Sequence, residues 1–125
     1  MLDRFKDRGF DVFAGSEVFL LDNMRHGGKG CITATGNINP GPIADVFRNW
    51  RAPDADLRQA AITATRKIVQ KQPMIPALKA AIAHFGNDAG WKTVRPPLIE
   101  LSEVQNRELI KDLNAGGFGM PGLSA

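Results

Sequence analysis

The sequence predicts an α/β fold with a βαβ unit at the front and helices behind it. Two short, nearly apolar runs at residues 10–14 and 31–35 flank a segment with helical spacing. Strands buried on both faces, as in parallel sheets, have this apolar character. From residue 39 onwards, apolar residues recur at helical spacing between prolines and glycines. A chain of 125 residues corresponds to one domain at most, and the βαβ crossover should be right-handed.

Local signals delimit the βαβ unit. The first run ends at Gly15, where Ser16 can cap a helix and Glu17 favours the positive end of its dipole. Gly27-Gly28 ends this helix, and Gly36-Asn37 ends the second run. The apolar residues of the helix share one face: Val18, Leu21 and Met24.

Two helices are predicted next. Asn39 caps the first and Pro40 occupies its first turn. Its apolar face carries Ile43, Val46, Phe47 and Trp50. Pro53-Asp54 begins the second helix, in which one predicted stripe is apolar and the opposite side is basic. That apolar stripe consists of Leu57, Ala61, Ala64 and Ile68.

Two further helices complete the prediction. Gly86 ends the first, and residues 87–101, which contain Pro96-Pro97, indicate an extended loop. Ser102 and Gln105 match a capping box for the last helix, which ends before Gly116-Gly117. The two apolar stripes are Leu78, Ala81, Ile82 and Phe85, then Leu109, Ile110 and Leu113. The tail from residue 117 is flexible in composition.

Composition narrows the possible partners and compartments. Sixteen basic against thirteen acidic residues leave a net charge of +3. The densest basic cluster lies on the polar side of one predicted helix, so we expect neither a nucleic-acid nor a membrane partner. Its members are Arg58, Arg66, Lys67 and Lys71. One cysteine excludes a disulfide framework. The first ten residues show no secretory signal, so we expect a cytoplasmic protein.

No isolated motif indicates an enzyme. Residues 117–122 match G-x-G-x-x-G by letter but follow a helix rather than a strand. The glycines of residues 27–30 lead into a strand and not into the N-terminus of a helix, unlike a phosphate loop. His26, His84 and Cys31 lack metal-ligand spacing. We therefore expect no metal and no cofactor, and we expect Cys31 to belong to the core.

The ordered set of motifs is more specific. Residues 14–17 (AGSE) precede residues 27–37 (GGKGCITATGN), residues 75–81 (IPALKAA) and residues 94–98 (VRPPL). This order resembles the C-terminal part of the dihydrodipicolinate synthase/N-acetylneuraminate lyase family. The resemblance implies part of a (β/α)₈ TIM barrel. Residues 1–52 would form its last two βα units, and residues 53–125 a trailing three-helix segment of the same domain.

The resemblance also implies chemistry. The family forms a Schiff base between a strand-six lysine and pyruvate or another 2-oxo acid, and its members are aldolases or hydro-lyases. That lysine, a strand-four tyrosine and a Gly-Thr-Thr-Gly loop have no counterpart here, since the sequence contains no tyrosine and no such run. We therefore expect no catalytic residue, and no activity from this chain alone. Homo-oligomerisation is a further implication of the family.

Two positions match the family's substrate-binding motifs. Gly15 would let a ligand approach the backbone, and the backbone of Ile32 would line the bound keto acid. Thr33 and Thr35 would face the same pocket, with Ser16 and Glu17 on its rim, and for these four a structural and a functional role are both open. Two hypotheses follow. The chain is either a part of a lyase that is active when the rest of the barrel is supplied, or a non-catalytic remnant that serves only in folding or oligomerisation.

Overall fold

The computed structural model describes residues 2–5 and 8–123. Its contacts divide the chain into two compact units, residues 1–63 and 64–125. The α-helices and strands, in chain order, are α1 (Leu2–Phe5), β1 (Phe13–Ala14), α2 (Leu20–Arg25), β2 (Gly30–Cys31), α3 (Pro40–Arg48), α4 (Ala55–Val69), α5 (Met74–Phe85) and α6 (Glu103–Ala115). Within the described residues, no helix combines the length and the apolar character needed to span a bilayer. The boundary predicted at residue 52/53 stays a prediction.

The two strands pair in parallel, as predicted. Phe13 lies opposite Gly30 and Ala14 opposite Cys31, and the amide of Ile32 donates to the carbonyl of Ala14 at 2.9 Å. Both strands are shorter than predicted: of residues 10–14 only Phe13–Ala14 form β1, and the second run is cut short because residues 34–37 form a 3₁₀ turn. Pairing ends where β1 turns away into the next helix, so the chain beyond Ile32 has no backbone of β1 to bond.

The crossover helix begins and ends at the predicted signals. The hydroxyl of Ser16 accepts from the amide of Val18 at 3.4 Å, and a 3₁₀ turn leads into α2. Gly27 takes a φ of +91° at the end of α2, a left-handed conformation that glycine adopts without strain. Ser16 and Gly27 therefore fix the two ends of the crossover.

Asn23 connects α2 to both strands. Its buried side-chain amide donates to the carbonyl of Val12 at 3.2 Å and to that of Gly30 at 2.9 Å. A Cβ on Gly28 would lie 2.2 Å from Nδ2 of Asn23, which explains a glycine at that position. Buried polar groups of this kind are costly unless paired, and here the pairing sets the position of the helix against the sheet.

The core of the first unit lies against one side of α2. Its buried members are Leu20, Leu21, Met24, Ile43, Val46, Ala55 and Ile62, with Cys31 and Trp50 packed against them. The predicted packing of Cys31 is thereby confirmed. Of the predicted face of α3, Ile43 and Val46 are buried, whereas Phe47 is exposed because it lies at the edge of that face. Asn39 takes the predicted N-cap position, without a side-chain hydrogen bond.

The predicted buried face of α4 is wrong. Leu57 is 74% exposed, and the buried residues are Ala55, Ile62 and Val69. The helix is rotated about its axis relative to the prediction, because polar side chains on its packed side have specific hydrogen-bond and ion-pair partners. Arg58 pairs with the carboxylates of Asp45 and Asp54, so it is half-buried and not on a solvated basic face.

The second unit follows its signals closely. Helix α5 ends at Gly86, and α6 begins with the predicted capping box, in which Ser102 and Gln105 bond reciprocally. Residues 87–101 contain a single 3₁₀ turn and no strand or α-helix. The buried residues of α6 are Leu109, Ile110 and Leu113, as predicted. Phe118 of the tail packs edge-on against Phe85, with ring centroids 5.2 Å apart.

Candidate functional site

The predicted site residues lie at the carboxyl ends of the two parallel strands. Gly15 follows β1 directly, and Ile32 follows β2 directly. A Cβ built on Gly15 would meet no atom within 4 Å, and the Ile32 side chain is 75% exposed. The structure thus brings both positions to one open end of the sheet.

A buried carboxylate lies behind this open end. Glu17 is 1% exposed, and the hydroxyls of Thr33 and Thr35 each donate to a different oxygen of its carboxylate. Hydrogen bonds to a charged acceptor are roughly twice as strong as those between neutral groups. Glu17 therefore ties the start of the crossover helix to the chain that follows β2.

These hydrogen bonds fix what the hydroxyls can offer. Each threonine hydroxyl has one proton and two lone pairs, and here the proton points at Glu17. Thr35 is buried, whereas Thr33 is half-buried and adjoins Ile32. The Thr33 hydroxyl also lies 3.4 Å from that of Thr35, so Glu17, Thr33 and Thr35 form one hydrogen-bonded cluster.

Two expectations about this cluster need correction. Glu17 was expected on the rim of the pocket and Thr35 was expected to face the pocket, but both side chains are buried. The reason is the 3₁₀ turn over residues 34–37, which brings the hydroxyl of Thr35 to the same carboxylate that Thr33 contacts.

Gln59 on α4 belongs to the same cluster and was not predicted. Its side-chain nitrogen donates to the carbonyl of Glu17 at 2.9 Å and to that of Val18 at 3.3 Å. Its side-chain oxygen accepts from the amide of Leu21 at 3.0 Å. Nothing in the sequence of a helix indicates that one of its side-chain amides will bond the first turn of another helix. Only the structure reveals this contact.

Cys31 is not placed for nucleophilic chemistry. Burial raises the pKa of its thiol, and the negative charge of Glu17 raises it further. The thiolate is the reactive form, so both effects hold Cys31 in its unreactive state at neutral pH.

An apolar groove of about 360 Å³ runs beside β2 and α3. Phe13, Cys31, Ile43 and Phe47 line it, together with Lys29 at the start of β2. Within the described part of the chain, no three His, Cys, Asp or Glu side chains come together as a metal site would require.

Sequence comparison identifies relatives of known class. The pattern of the dihydrodipicolinate synthetase family matches residues 2–116. The chain is 33% identical to YjhH, a probable 2-dehydro-3-deoxy-D-pentonate aldolase of Escherichia coli K12, over 87% of its length. It is 30% identical to a 4-hydroxy-tetrahydrodipicolinate synthase of Methanoculleus marisnigri, over 90% of its length.

Solved structures give the same relationship. Dihydrodipicolinate synthase from Agrobacterium tumefaciens C58 superposes over 91% of this chain with a TM-score of 0.73 and 25% identity. YagE, an Escherichia coli K12 protein solved in complex with pyruvate, superposes over 90% with a TM-score of 0.77 and 24% identity. This chain spans 37% and 39% of those two structures, and 37% and 39% of the two sequence relatives. The chain belongs to the dihydrodipicolinate synthetase family and has the fold of part of its α/β structure.

Proposed function

We propose that this chain forms the last two βα units and the trailing helices of a (β/α)₈ barrel, a lyase that acts on a 2-oxo acid. One observation carries the proposal: two parallel strands end side by side, with open space at Gly15 and an exposed Ile32. In (β/α)₈ enzymes the active site lies at the carboxyl ends of the strands. Those two residues therefore occupy the substrate side.

Each residue has a distinct role in this proposal. Gly15 leaves room for the ligand, the backbone at Ile32 lines the keto acid, and Thr33 lies beside Ile32 at the edge of the same site. The nucleophilic lysine comes from the preceding part of the barrel. Its amine condenses with the keto group, water leaves, and the protonated imine withdraws the electron pair of the bond that breaks.

We favour aldol cleavage of a hydroxylated 2-oxo acid over dehydration because of the name that one relative carries. YjhH, with 33% identity, has an aldolase name of this class.

A chimaera tests the proposal. The part of YjhH that precedes its match to this chain is fused to residues 1–125, and pyruvate release from 2-dehydro-3-deoxy-D-pentonate is measured. We expect release, and we expect borohydride with pyruvate to trap an imine in the YjhH part. A folded chimaera that traps no imine would overturn the proposal.

Matched variants of the chimaera locate the substrate. Gly15→Val places a side chain in the open space and should raise KM at least about tenfold through lost substrate contact. Gly119→Val is the control, since a Cβ there also meets no atom within 4 Å but the residue lies in the tail beyond α6. Equal KM values in the two variants would contradict a substrate position at Gly15.

A further inference from the structure

We infer that Glu17 is a positioning residue, which sets the chain after β2 for ligand binding, and that Gln59 holds Glu17 in place. The ligand-binding part of this inference rests on the proposed function. The physical part rests on three connected contacts: Gln59 to the Glu17 backbone, the Glu17 carboxylate to Thr33 and Thr35, and Thr33 to its neighbour Ile32.

The first step is the anchoring of Glu17 by α4. Gln59 bonds two carbonyls and one amide within residues 17–21. The amide is that of Leu21, in the first turn of α2, where a helix supplies no acceptor of its own for N–H groups. Its nitrogen also lies 3.0 Å from the Thr63 hydroxyl one turn further along α4. Both the nitrogen and the oxygen of the Gln59 side-chain amide are bonded, so this side chain holds the backbone of Glu17 in position.

The second step runs from Glu17 to the chain after β2. Beyond Ile32 the backbone has left the two-strand ladder and bonds only within its own turn over residues 33–39, so side-chain contacts tie that turn to the crossover helix. The two threonine hydroxyls bind separate oxygens of one buried carboxylate, and this bidentate arrangement fixes rotation as well as distance. Thr33 and its neighbour Ile32 are thereby held at the end of β2.

Hydrogen exchange on the full 125-residue chain tests the physical part. Gln59→Met removes the three backbone contacts and keeps the length of the side chain. We expect the amides of residues 32–39 to exchange at least about tenfold faster, from millisecond labelling times onwards, because buried hydrogen bonds are lost two steps away. Amides of α6 should not change. Gln70→Met, at an exposed position near the end of α4, is the matched control.

Conservative threonine variants separate hydrogen bonding from packing. The double variant Thr33→Val with Thr35→Val keeps the shape and removes both donors, whereas Thr33→Ser with Thr35→Ser retains them. We expect faster exchange at residues 32–39 in the valine variant and recovery in the serine variant. If the valine variant does not fold, Gln59→Met decides, since it leaves the Glu17 carboxylate paired. Unchanged exchange in Gln59→Met would overturn the inference.

The chimaera tests the ligand-binding part. Gln59→Met should raise KM for the hydroxylated substrate about tenfold and slow pyruvate trapping by much less, because the lysine lies elsewhere. A merely destabilised chimaera would lose both together, and that result would contradict positioning. An inactive parent chimaera would contradict the proposed function alone, since the exchange result on the full chain stands without it.

Discussion

Cys31 and Glu17 show at the scale of single residues how burial and charge act together. Burial raises the pKa of the Cys31 thiol, and the Glu17 carboxylate adds to that rise. The native state therefore holds the thiol proton more tightly than the unfolded chain does. This contribution to stability is present below the unfolded-state pKa and is lost as pH rises through the folded-state value.

Alkylation of Cys31 reports this pKa. We expect the pH midpoint of its reaction with iodoacetamide to lie higher in the native chain than in urea, because the thiolate is the reacting form. Glu17→Gln should lower the native midpoint, since one of the two causes is removed. Glu108→Gln, on the exposed side of α6, is the control. A midpoint unaffected by Glu17→Gln would mean that the carboxylate does not act on the thiol.

For single residues, the sequence predicted the place of a residue in the fold better than the contacts of its side chain. Gly15 was expected at the end of the first strand, and the structure places it there, whereas Ile32 was expected within the second strand and directly follows β2. The burial of Glu17 was not expected, because an isolated acidic residue in a first helical turn is explained by the helix dipole alone. Its partners Thr33 and Thr35 follow β2, and no local rule specifies such contacts.

At the scale of elements, Gly28 tests the connection between α2 and the sheet. Gly28→Ala places a Cβ against the Asn23 side chain, which must move and give up its bonds to Val12 and Gly30. We expect the free energy of unfolding in urea to fall by about 2–3 kcal/mol. Gly119→Ala, in open space in the tail, should change stability by no more than about 0.5 kcal/mol. Equal effects would contradict the role of Asn23.

The capping box of α6 gives a second test of an element. The Ser102 hydroxyl accepts from the amide of Gln105, and the Gln105 side chain accepts from the amide of Ser102. Ser102→Ala should lower the free energy of unfolding by about 1 kcal/mol, whereas Ser102→Thr retains an oxygen and should cost less. Denaturation curves of the two variants decide this, and identical midpoints would contradict it.

Helix α4 shows where element prediction from hydropathy fails. Periodicity identified the helix, but a weak apolar stripe placed Leu57 inside, where the structure leaves it exposed, and Gln59, which was not part of the prediction, is half-buried. Hydropathy counts every polar residue as solvent-seeking. Gln59 instead bonds the backbone of residues 17–21, and such long-range pairing has no signature in the sequence of the helix.

At the scale of the whole molecule, the family was predicted from the order of its motifs, and the match over residues 2–116 confirms it. The same match covers two-fifths of the length of the relatives. Two paired strands do not make an independently stable sheet, and large apolar side chains around them are exposed. These are Phe10, Phe13, Ile32 and Phe47.

We therefore expect the 125-residue chain by itself to self-associate, with weak protection of residues 10–36 against hydrogen exchange. The reason is that apolar surface and free strand edges attract further chains. Sedimentation at micromolar concentration and exchange mass spectrometry measure the two properties. A monomer with slow exchange throughout residues 10–36 would contradict this expectation.

The lysines of the chain decide whether it can act alone. Lys29 precedes β2, at the end opposite Ile32. Three residue steps along an extended chain lead from Lys29 to Ile32, which is a distance of roughly 10 Å. Lys71 pairs with Asp112 at 2.8 Å, and Lys79 lies over the ring of Trp91. The others are exposed or, for Lys6, outside the described residues: Lys6, Lys67, Lys92 and Lys111.

We expect no Schiff base between this chain alone and pyruvate. An imine-forming lysine needs a desolvated pocket or a cationic neighbour that lowers the pKa of its amine, and each described lysine lies on the surface or away from the open strand ends. Borohydride reduction with pyruvate, followed by peptide mass spectrometry, measures the adduct. The YjhH chimaera is the positive control. Stoichiometric trapping on one lysine of residues 1–125 would place the nucleophile in this chain and overturn its assignment to the preceding part of the barrel.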